Sequence, residues 1–498
     1  MNPFRTKTVE QSIRDTEEPG HRLKKQLGPL DLTVFGVGVV IGTGIFVLTG
    51  KAAGMQAGPA VALSFLLAAV VCGLAALCYA EFASTVPVAG SAYTFSYASL
   101  GELVAWIIGW DLILELALGA ATVAVGWSTY FADVMKQAGI VIPAELYGDG
   151  RNYVAAAIVL ILTGIICLGI KVSSRINFVV VSIKLAVVLL VIVVGAFYIH
   201  TQNWVPFIPP SGSPGATGTP AAPSLLQDLG FAPGTFGVSG IFTAAALVFF
   251  AFIGFDVVAT AAEETRQPQR DLPIGIFTSL GICALLYVLV SLVITGMVRY
   301  TEVQVDAPLA EAFRSVGLPV IATIISVGAL AGLTTVMMIL LLGQSRVFFA
   351  MSRDRLLPPV FSAVSERFGT PYRTTLVTGV AVAVMAALIP LSELAELVNI
   401  GTLFAFVLVS IGVIVLRRTR PDLPRAFRCP GVPYVPILAA LASFYLMLNL
   451  PADTWIRFGV WMAIGFVVYF AYGARHSRLA TAAQTGYGAQ DESPAPTR

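Results

Sequence analysis

The stretch VVIGTGIFVLTG occupies residues 39–50, inside an apolar run long enough to form a helix. Gly42, Gly44 and Gly50 crowd this run. Glycine lacks a Cβ and destabilises a helix, so we predict that the helix opens at GTG, residues 42–44. An opened turn in an apolar environment leaves backbone N–H and C=O groups without partners, and a bound ligand can satisfy them. The N–H groups of the following half-helix favour an anion, and the C=O groups of the preceding half favour a cation.

A second stretch of this kind, FFAFIGFD, occupies residues 249–256 and contains Gly254 and Asp256. The two stretches lie five predicted helices apart, and an odd offset makes the helices that contain them antiparallel. Each stretch also precedes a proline that we expect to open the next helix, Pro59 or Pro273. This pattern indicates an inverted repeat with a ligand site where the two repeats meet. Close helix packing is the alternative role for either glycine cluster taken alone.

The composition places the chain in a bilayer. Of its 498 residues, 57% are hydrophobic and 12% are charged, whereas soluble proteins carry about 25% charged residues. A spanning helix needs about 20 apolar residues, and the runs here are too long for the alternating strands of a β-barrel. We therefore predict an all-α integral membrane protein with twelve transmembrane helices, at residues 33–56, 59–83, 101–132, 153–170, 174–199, 236–263, 272–298, 317–351, 372–390, 393–417, 432–451 and 455–473.

The loops between these runs indicate the orientation. Cytoplasmic loops carry an excess of Lys and Arg, and most of the 30 basic residues lie on the side of the N-terminus. We therefore expect both termini in the cytoplasm and the chain in the plasma (inner) membrane. No basic patch suggests nucleic-acid binding. The basic residues of the opposite side are Lys51, Lys136, Arg151, Arg299, Arg314 and Arg457.

The runs divide the chain into six segments. We expect a cytoplasmic N-terminal segment, a first repeat, an external loop rich in Pro, Gly and Ser, a second repeat, two further helices and a cytoplasmic tail. The first segment has no apolar stretch near its start, so we expect no signal peptide. The segments are residues 1–30, 31–200, 201–235, 236–417, 432–473 and 474–498.

Several stretches carry a family resemblance: IGTGIFVLTG (41–50), GPAVALSF (58–65), ALCYAEFASTVPVAGSAYTFSYASLGELVAWIIGWDLILE (76–115), FIGFD with AAEETRQPQRDLPIGI (252–276) and AMSRDRLLP (350–358). Together they resemble the cationic amino acid transporter family of the amino acid–polyamine–organocation superfamily, in a bacterial form. The resemblance covers about residues 25–475. It implies a leucine-transporter-like fold of two inverted five-helix repeats with helices 1 and 6 broken, plus two extra helices, and secondary transport by alternating access.

The resemblance also implies a substrate site. The substrate carboxylate would meet backbone at 41–44, and its ammonium would meet carbonyls of Phe250, Ala251 and Ile253, with Phe250 as an aromatic gate. The partners implied are an L-amino acid, protons and the lipid bilayer. The predicted substrate site comprises Ile41, Gly42, Thr43, Gly44, Glu115, Phe250, Ala251, Phe252, Ile253 and Gly254.

Ionisable groups within spanning helices are costly and are functional candidates. Asp111 and Glu115 lie four residues apart, on one face of helix 3. We expect Glu115 to face the substrate side chain or to handle protons, and Asp256 to be a rival proton carrier. Glu81 is a gate or a structural residue. Packing and structural hydrogen bonding remain the alternatives for Glu115 and Asp111.

Lys184 lies in VVVSIKLAVVLLVIVV (179–194), too far from a helix end to reach water. Sodium-coupled relatives place a cation between helices 1 and 5, so the resemblance implies that this ammonium replaces sodium. An ammonium removed from water also loses its proton more readily, which suggests a coupling role. The alternative is a static strut to helix 1 carbonyls.

Helix 8 departs from the family pattern. VMMILLLGQSR (336–346) is bulky where cationic members need space for a long side chain. We therefore favour a small or medium neutral L-amino acid such as alanine, with arginine or lysine as the alternative.

Other function classes have less support in the sequence. An enzyme would need a catalytic set such as Ser/His/Asp or HExxH, and a channel would need a filter or a ring of charges. No cofactor or metal is expected. The light subunit of a heteromeric transporter would need an external cysteine between helices 3 and 4, and residues 133–152 contain none. We therefore expect no disulfide-linked heavy chain.

Overall fold

The structure is a computed structural model that describes residues 27–85, 91–148, 150–169, 174–216, 222–231, 235–362 and 371–478. Within these ranges every named element is helical. Most of the predicted N-terminal segment and nearly all of the predicted tail lie outside the described residues.

Twelve principal helices can be followed through the described residues. They are α1 (Pro29–Val40), α2 (Val61–Thr85), α3 (Glu102–Gln137), α4 (Tyr153–Cys167), α5 (Ser174–Gly195), α6 (Gly237–Val248), α7 (Pro268–Met297), α8 (Pro319–Arg353), α9 (Tyr372–Leu388), α10 (Leu391–Thr419), α11 (Tyr434–Leu448) and α12 (Ala452–Val468).

Eight helical stretches of the described residues are long and apolar enough to cross a membrane. Four shorter apolar helices, α1, α4, α9 and α11, account for the other predicted spans, so the count of twelve spans stays a prediction. The outward faces of the helices carry large apolar side chains, including Ile161, Val193 and Val467, which are 58%, 58% and 68% exposed. A surface of this kind is suited to lipid.

Prolines mark several helix starts. Pro29, Pro268 and Pro319 occupy the first turns of α1, α7 and α8, where the missing N–H would have no helical partner. The expectation that Pro273 opens a helix is wrong, because α7 already begins at Pro268 and Pro273 lies inside it. The ring of Pro268 fixes its φ angle at a value that suits the first turn of a helix.

Two helices are interrupted within the protein. α1 ends at Val40, and helical structure resumes at Gly44 and continues through residues 44–57. α6 ends at Val248 and passes through a 3₁₀ turn, Phe249–Phe252, before a short helix, Val257–Thr260. The interruptions lie at the two glycine-containing stretches of the sequence.

Helix packing brings the two interruptions together. α3 packs along α8, α2 along α7 and α4 along α9. Gly44 belongs to the first interrupted helix and Ala251 to the second, and a Cβ placed on Gly44 would lie 2.3 Å from Cα of Ala251. Only glycine therefore allows the two interrupted helices to approach so closely.

A buried ion pair ties the end of α2 to the connection between α10 and α11. The Glu81 carboxylate accepts hydrogen bonds from Arg417 Nε (2.9 Å) and Nη2 (2.7 Å) and from the backbone N–H of Cys429 (2.8 Å). Arg425 Nε lies 3.3 Å from the same carboxylate. The Glu81 side chain is 3% exposed, so the low dielectric strengthens these contacts and makes an unpaired charge costly.

We expect Glu81→Gln to destabilise the protein by about 3–5 kcal/mol, because it leaves the buried Arg425 guanidinium and the partly buried Arg417 guanidinium without their counter-ion. The matched control is Glu393→Gln. Glu393 pairs with Arg457 at 2.7 Å, but both side chains are about 40% exposed, so its loss should cost less than about 1 kcal/mol. Thermal melting of both variants in the same detergent measures the difference. Equal melting temperatures would contradict a stabilising role for the buried pair.

Candidate functional site

The two interruptions line one cavity. Four elements contribute: the interruption of α1, the middle of α3, the interruption of α6 and the middle of α8. The lining residues are Val39, Val40, Gly42, Thr43, Gly44, Glu115, Gly119, Val123, Phe250, Ile253, Val257, Val336 and Leu340.

Side chains from other helices satisfy the carbonyls at the end of α1. Ile41 leaves the helical conformation (ψ 94°), so the last carbonyls of α1 have no intrahelical partners. Tyr287 Oη of α7 donates to the Val40 carbonyl at 2.6 Å. Lys184 Nζ of α5 donates to the carbonyls of Gly38 at 2.6 Å and Ile41 at 3.3 Å. The opened end of α1 is thus held from two sides.

Lys184 is fully buried, and its stem passes Gly332 of α8 on the way to α1. A Cβ on Gly332 of α8 would lie 2.8 Å from Lys184 Cγ and 3.1 Å from Cδ. The absence of a side chain at Gly332 therefore creates the channel for the lysine stem. A positive charge at the carbonyl end of a helix also complements the helix dipole.

The half of helix 1 that follows the interruption presents its amino end to the cavity. Gly42, Thr43 and Gly44 line the cavity there, and the Thr43 hydroxyl is buried without a hydrogen-bond partner. Tyr130 Oη of α3 donates to the Phe46 carbonyl at 2.7 Å and fixes this half-helix. Free N–H groups at a helix start can bind an anion.

Some residues at the interruption of α6 face the cavity, and others pack against neighbouring helices. Phe250 and Ile253 line the cavity, whereas Phe252 packs against Phe65 and Tyr287. Ala251 contacts the position of Gly44. Gly254 has φ +116°, and a Cβ there would lie 2.5 Å from Val39 Cγ1. The backbone thus turns at a position that only glycine adopts readily. Ile41, Ala251, Phe252 and Gly254 surround the cavity without lining it.

The four acidic candidates lie in different environments. Glu115 lines the cavity, within hydrogen-bond reach of the Thr402 hydroxyl, and its Oε1 has no partner. Asp256 interacts electrostatically with Glu115 and contacts the backbone N–H groups at 254 and 257. Asp111 is fully buried beside Gly401 and does not line the cavity. Glu81 lies in the ion pair at the end of α2. Glu115 is therefore the acidic candidate that a ligand in the cavity can reach.

α8 contributes a smaller apolar surface than the sequence suggests. Val336 and Leu340 line the cavity, whereas Met337 and Met338 are buried without lining it. The helical repeat explains this difference, because residues four apart share a face. The cavity wall opposite α1 is apolar, but it is not filled by the two methionines.

Several residues around the interruptions were not predicted from the sequence. Tyr287, Tyr130 and Asn399 donate to backbone carbonyls of the interrupted helices, and Gly332 provides space for Lys184. The three polar side chains are uncharged and lie in largely apolar runs. A single Asn or Tyr in such a run, as at Asn399, was the available signal.

Among the residues that the structure describes, no group of three or more His, Cys, Asp or Glu side chains could hold a metal ion. The polar groups of the cavity are a carboxyl, a hydroxyl and backbone ends. The rest of the lining is apolar, as in most small-molecule sites.

Comparison with known proteins gives a consistent assignment. The family model for amino acid permeases matches residues 27–471. The chain is 49% identical to the branched-chain amino acid permease BcaP of Bacillus subtilis (strain 168), over 96% of this chain and 98% of that protein. It is 45% identical to the methylthioribose transporter of the same organism, over 96% and 99%. It is 32% identical to the vacuolar cationic amino acid transporter 4 of Arabidopsis thaliana, over 92% and 93%.

These relatives are transporters and permeases, not enzymes, and the apolar helices agree with a multi-pass protein of the plasma membrane. The family resemblance drawn from the sequence is confirmed at the level of the superfamily. The chain belongs to the amino acid permease family.

Proposed function

We propose that the protein is a sodium-independent, proton-coupled secondary transporter of L-amino acids with small or medium apolar side chains. The observation that carries the proposal is the cavity between the two interrupted helices. This cavity offers the amino end of one half-helix and lies beside the interruption of the other. Both termini would lie in the cytoplasm.

The two ends of the substrate would bind to backbone. Its carboxylate would meet the N–H groups at 42–44, with the unpartnered Thr43 hydroxyl as a further donor. Its ammonium would meet carbonyls at the interruption of α6, where Phe250 forms part of the wall. Each charge then lies at the helix end of opposite sign, which stabilises a zwitterion and discriminates against a molecule with one charge only.

The substrate side chain would contact Val123, Val336 and Leu340. Burying a Val- or Leu-sized group against such a wall contributes about 1.5–3 kcal/mol. The high identity to a branched-chain amino acid permease supports this choice. A cationic amino acid is the second candidate, because Glu115 presents an unpartnered carboxyl oxygen to the same cavity and the cationic transporters are also relatives.

The helix contacts support two inverted five-helix repeats with two extra helices, and thus alternating access. If each helix of α1–α5 corresponds in order to a helix of α6–α10, the contact of α1 with α7 corresponds to the contact of α6 with α2. Likewise, the contact of α3 with α10 corresponds to that of α8 with α5, and the contact of α5 with α7 to that of α10 with α2. Two repeats related by a twofold axis give such a pattern.

Lys184 would connect substrate movement with protons. Its ammonium supplies a positive charge to the carbonyls of Gly38 and Ile41 without any bound metal ion. Loss of that charge would weaken two charge-assisted hydrogen bonds and release the end of α1. Glu115 and Asp256 remain rival proton carriers, and a static strut remains the alternative role for Lys184.

The substrate proposal predicts binding of leucine, valine or alanine to the purified protein, and no binding of isoamylamine or 4-methylvalerate. Each of these two compounds retains the apolar body and only one of the charges. Because a ligand of the folded state raises its melting temperature, a thermal-shift screen measures the difference. Arginine and methylthioribose are the comparison ligands. A shift with either of these and none with the aliphatic amino acids would contradict the proposed substrate class.

The cavity predicts that Gly44→Ala abolishes substrate binding, since its methyl group would lie 2.3 Å from Ala251 and push the interrupted helices apart. Gly73→Ala of α2 is the matched control, because a Cβ there meets no atom within 4 Å. Binding is measured by thermal shift on variants of equal yield after size exclusion. Unchanged binding by Gly44→Ala would place the site elsewhere.

The coupling role predicts that a proton gradient, and not a sodium gradient, drives uptake into proteoliposomes. Lys184→Met should lower uptake by roughly 10- to 100-fold, because the variant loses one or two hydrogen bonds donated by a charged group. Gly332→Ala, which presses on the lysine stem, should lower uptake less severely. Gly281→Ala has open space at its Cβ and is the control. Sodium stimulation at constant pH, or full activity of Lys184→Met, would contradict the coupling proposal.

A further inference from the structure

The ends of both interrupted helices pose the same physical problem. The last carbonyls of a half-helix have no intrahelical partner, and each such group in a membrane interior costs several kcal/mol unless another group binds it. At α1 the partners are Lys184 and Tyr287. At α6 the carbonyls of Ala246 and Leu247 occupy the corresponding position, two and one residues before the helix ends at Val248.

Asn399 of α10 satisfies these carbonyls of α6. Its Nδ2 donates to the Ala246 carbonyl at 2.7 Å and to the Leu247 carbonyl at 3.0 Å. Its side chain is fully buried, and its Oδ1 has no hydrogen-bond partner. Both N–H groups of the Asn399 amide therefore donate to carbonyls at the end of α6. Lys184 likewise donates to two carbonyls at the end of α1.

The two residues correspond under exchange of the repeats. Lys184 lies on the fifth helix and donates twice to the end of the first. Asn399 lies on the tenth helix and donates twice to the end of the sixth. The donors differ in one property, since an ammonium can lose its charge and an amide has no charge to lose.

We propose that Asn399 is the positioning residue of the α6 interruption and the uncharged counterpart of Lys184. It holds the first half of α6 on α10 whatever the protonation state of the site, so that a change of charge acts on α1 alone. This inference rests on the proposed function and assigns the two interruptions different roles in it: a fixed half and a releasable half. Asn399 acts on substrate through the carbonyls of residues 250–253, not by contact.

The first experiment does not depend on transport. Hydrogen–deuterium exchange of the purified protein compares wild type, Asn399→Leu and Lys184→Met. We expect Asn399→Leu to speed exchange in residues 237–248 by roughly tenfold, the loss of about one net hydrogen bond, and to leave residues 29–40 unchanged. Lys184→Met should show the reverse pattern. Unchanged exchange of 237–248 in Asn399→Leu, or equal loosening of both segments in either variant, would overturn the proposal.

The second experiment uses Asn399→Asp, which has the same shape. An ionised carboxylate only accepts hydrogen bonds and would repel the two carbonyls, whereas its protonated form donates one bond. Exchange of 237–248, relative to wild type at each pH, should therefore increase as pH rises. α6 itself carries no ionisable residue. The groups near this part of α10 that also titrate are Asp111, Glu115, Tyr79 and Glu396, and the wild type corrects for them.

Asn449→Asp is the matched control. Asn449 follows the last residue of α11, is 5% exposed and donates to the Tyr445 carbonyl at 2.9 Å, and it does not line the cavity. Hydrogen exchange of residues 237–248 in Asn449→Asp should match wild type at every pH. A pH effect as large as that of Asn399→Asp would contradict the positioning role of Asn399.

Transport supplies the third readout. In proteoliposomes Asn399→Leu should raise the KM for leucine by roughly tenfold, and its dependence on the proton gradient should remain. Loss of gradient dependence would show that Asn399 belongs to coupling and would overturn the division of roles. A wild type that carries no amino acid would contradict the proposed function, while the exchange experiment would still decide the role of Asn399.

Discussion

The structure depends on how backbone groups are satisfied where two helices are interrupted in an apolar interior. An unbroken helix pairs its own N–H and C=O groups, and an interrupted helix cannot. The protein meets this constraint with donors from neighbouring helices: Lys184, Tyr287 and Tyr130 for the first interrupted helix and Asn399 for the sixth. Lys184, Tyr287 and Asn399 bind carbonyls at the ends of α1 and α6, Tyr130 binds the half-helix that follows α1, and the amino end at 42–44 faces the cavity. A ligand can therefore complete the site.

Long helices complete the wall of the cavity and are attached to one another. α3 and α8 run beside each other and supply the cavity wall through Glu115, Val123, Val336 and Leu340. α12 is fixed to α3 because the indole N–H groups of Trp106 and Trp110 donate to the carbonyls of Gly465 and Trp461, both at 2.9 Å. The cavity thus lies between two long helices, α3 and α8, and the two interruptions.

Glycine determines how closely these parts approach. At Gly44 the neighbour is the backbone of Ala251, at Gly332 it is the stem of Lys184, and at Gly254 it is Val39. In each case a single methyl group would collide with an atom that belongs to the site or supports it. Gly73 and Gly281, which have open space around their Cβ positions, show that many glycines of the chain carry no such requirement.

The sequence by itself determined the class of protein and the location of the interruptions. Apolar runs in a bilayer must form helices, and glycine in such a run weakens the helix locally, so VVIGTGIFVLTG and FFAFIGFD pointed to the two openings. The family resemblance implied that the Lys184 ammonium lies beside helix 1, and the structure places it at the Gly38 and Ile41 carbonyls. Only the tertiary structure decided which side chains share the cavity. Glu115 reaches it and Asp111 does not, Val336 replaces the neighbouring methionines, and Glu81 joins an ion pair with Arg417. These outcomes depend on helix rotation and on partners more than 150 residues away, such as Asn399 and Ala246, and no local pattern encodes them.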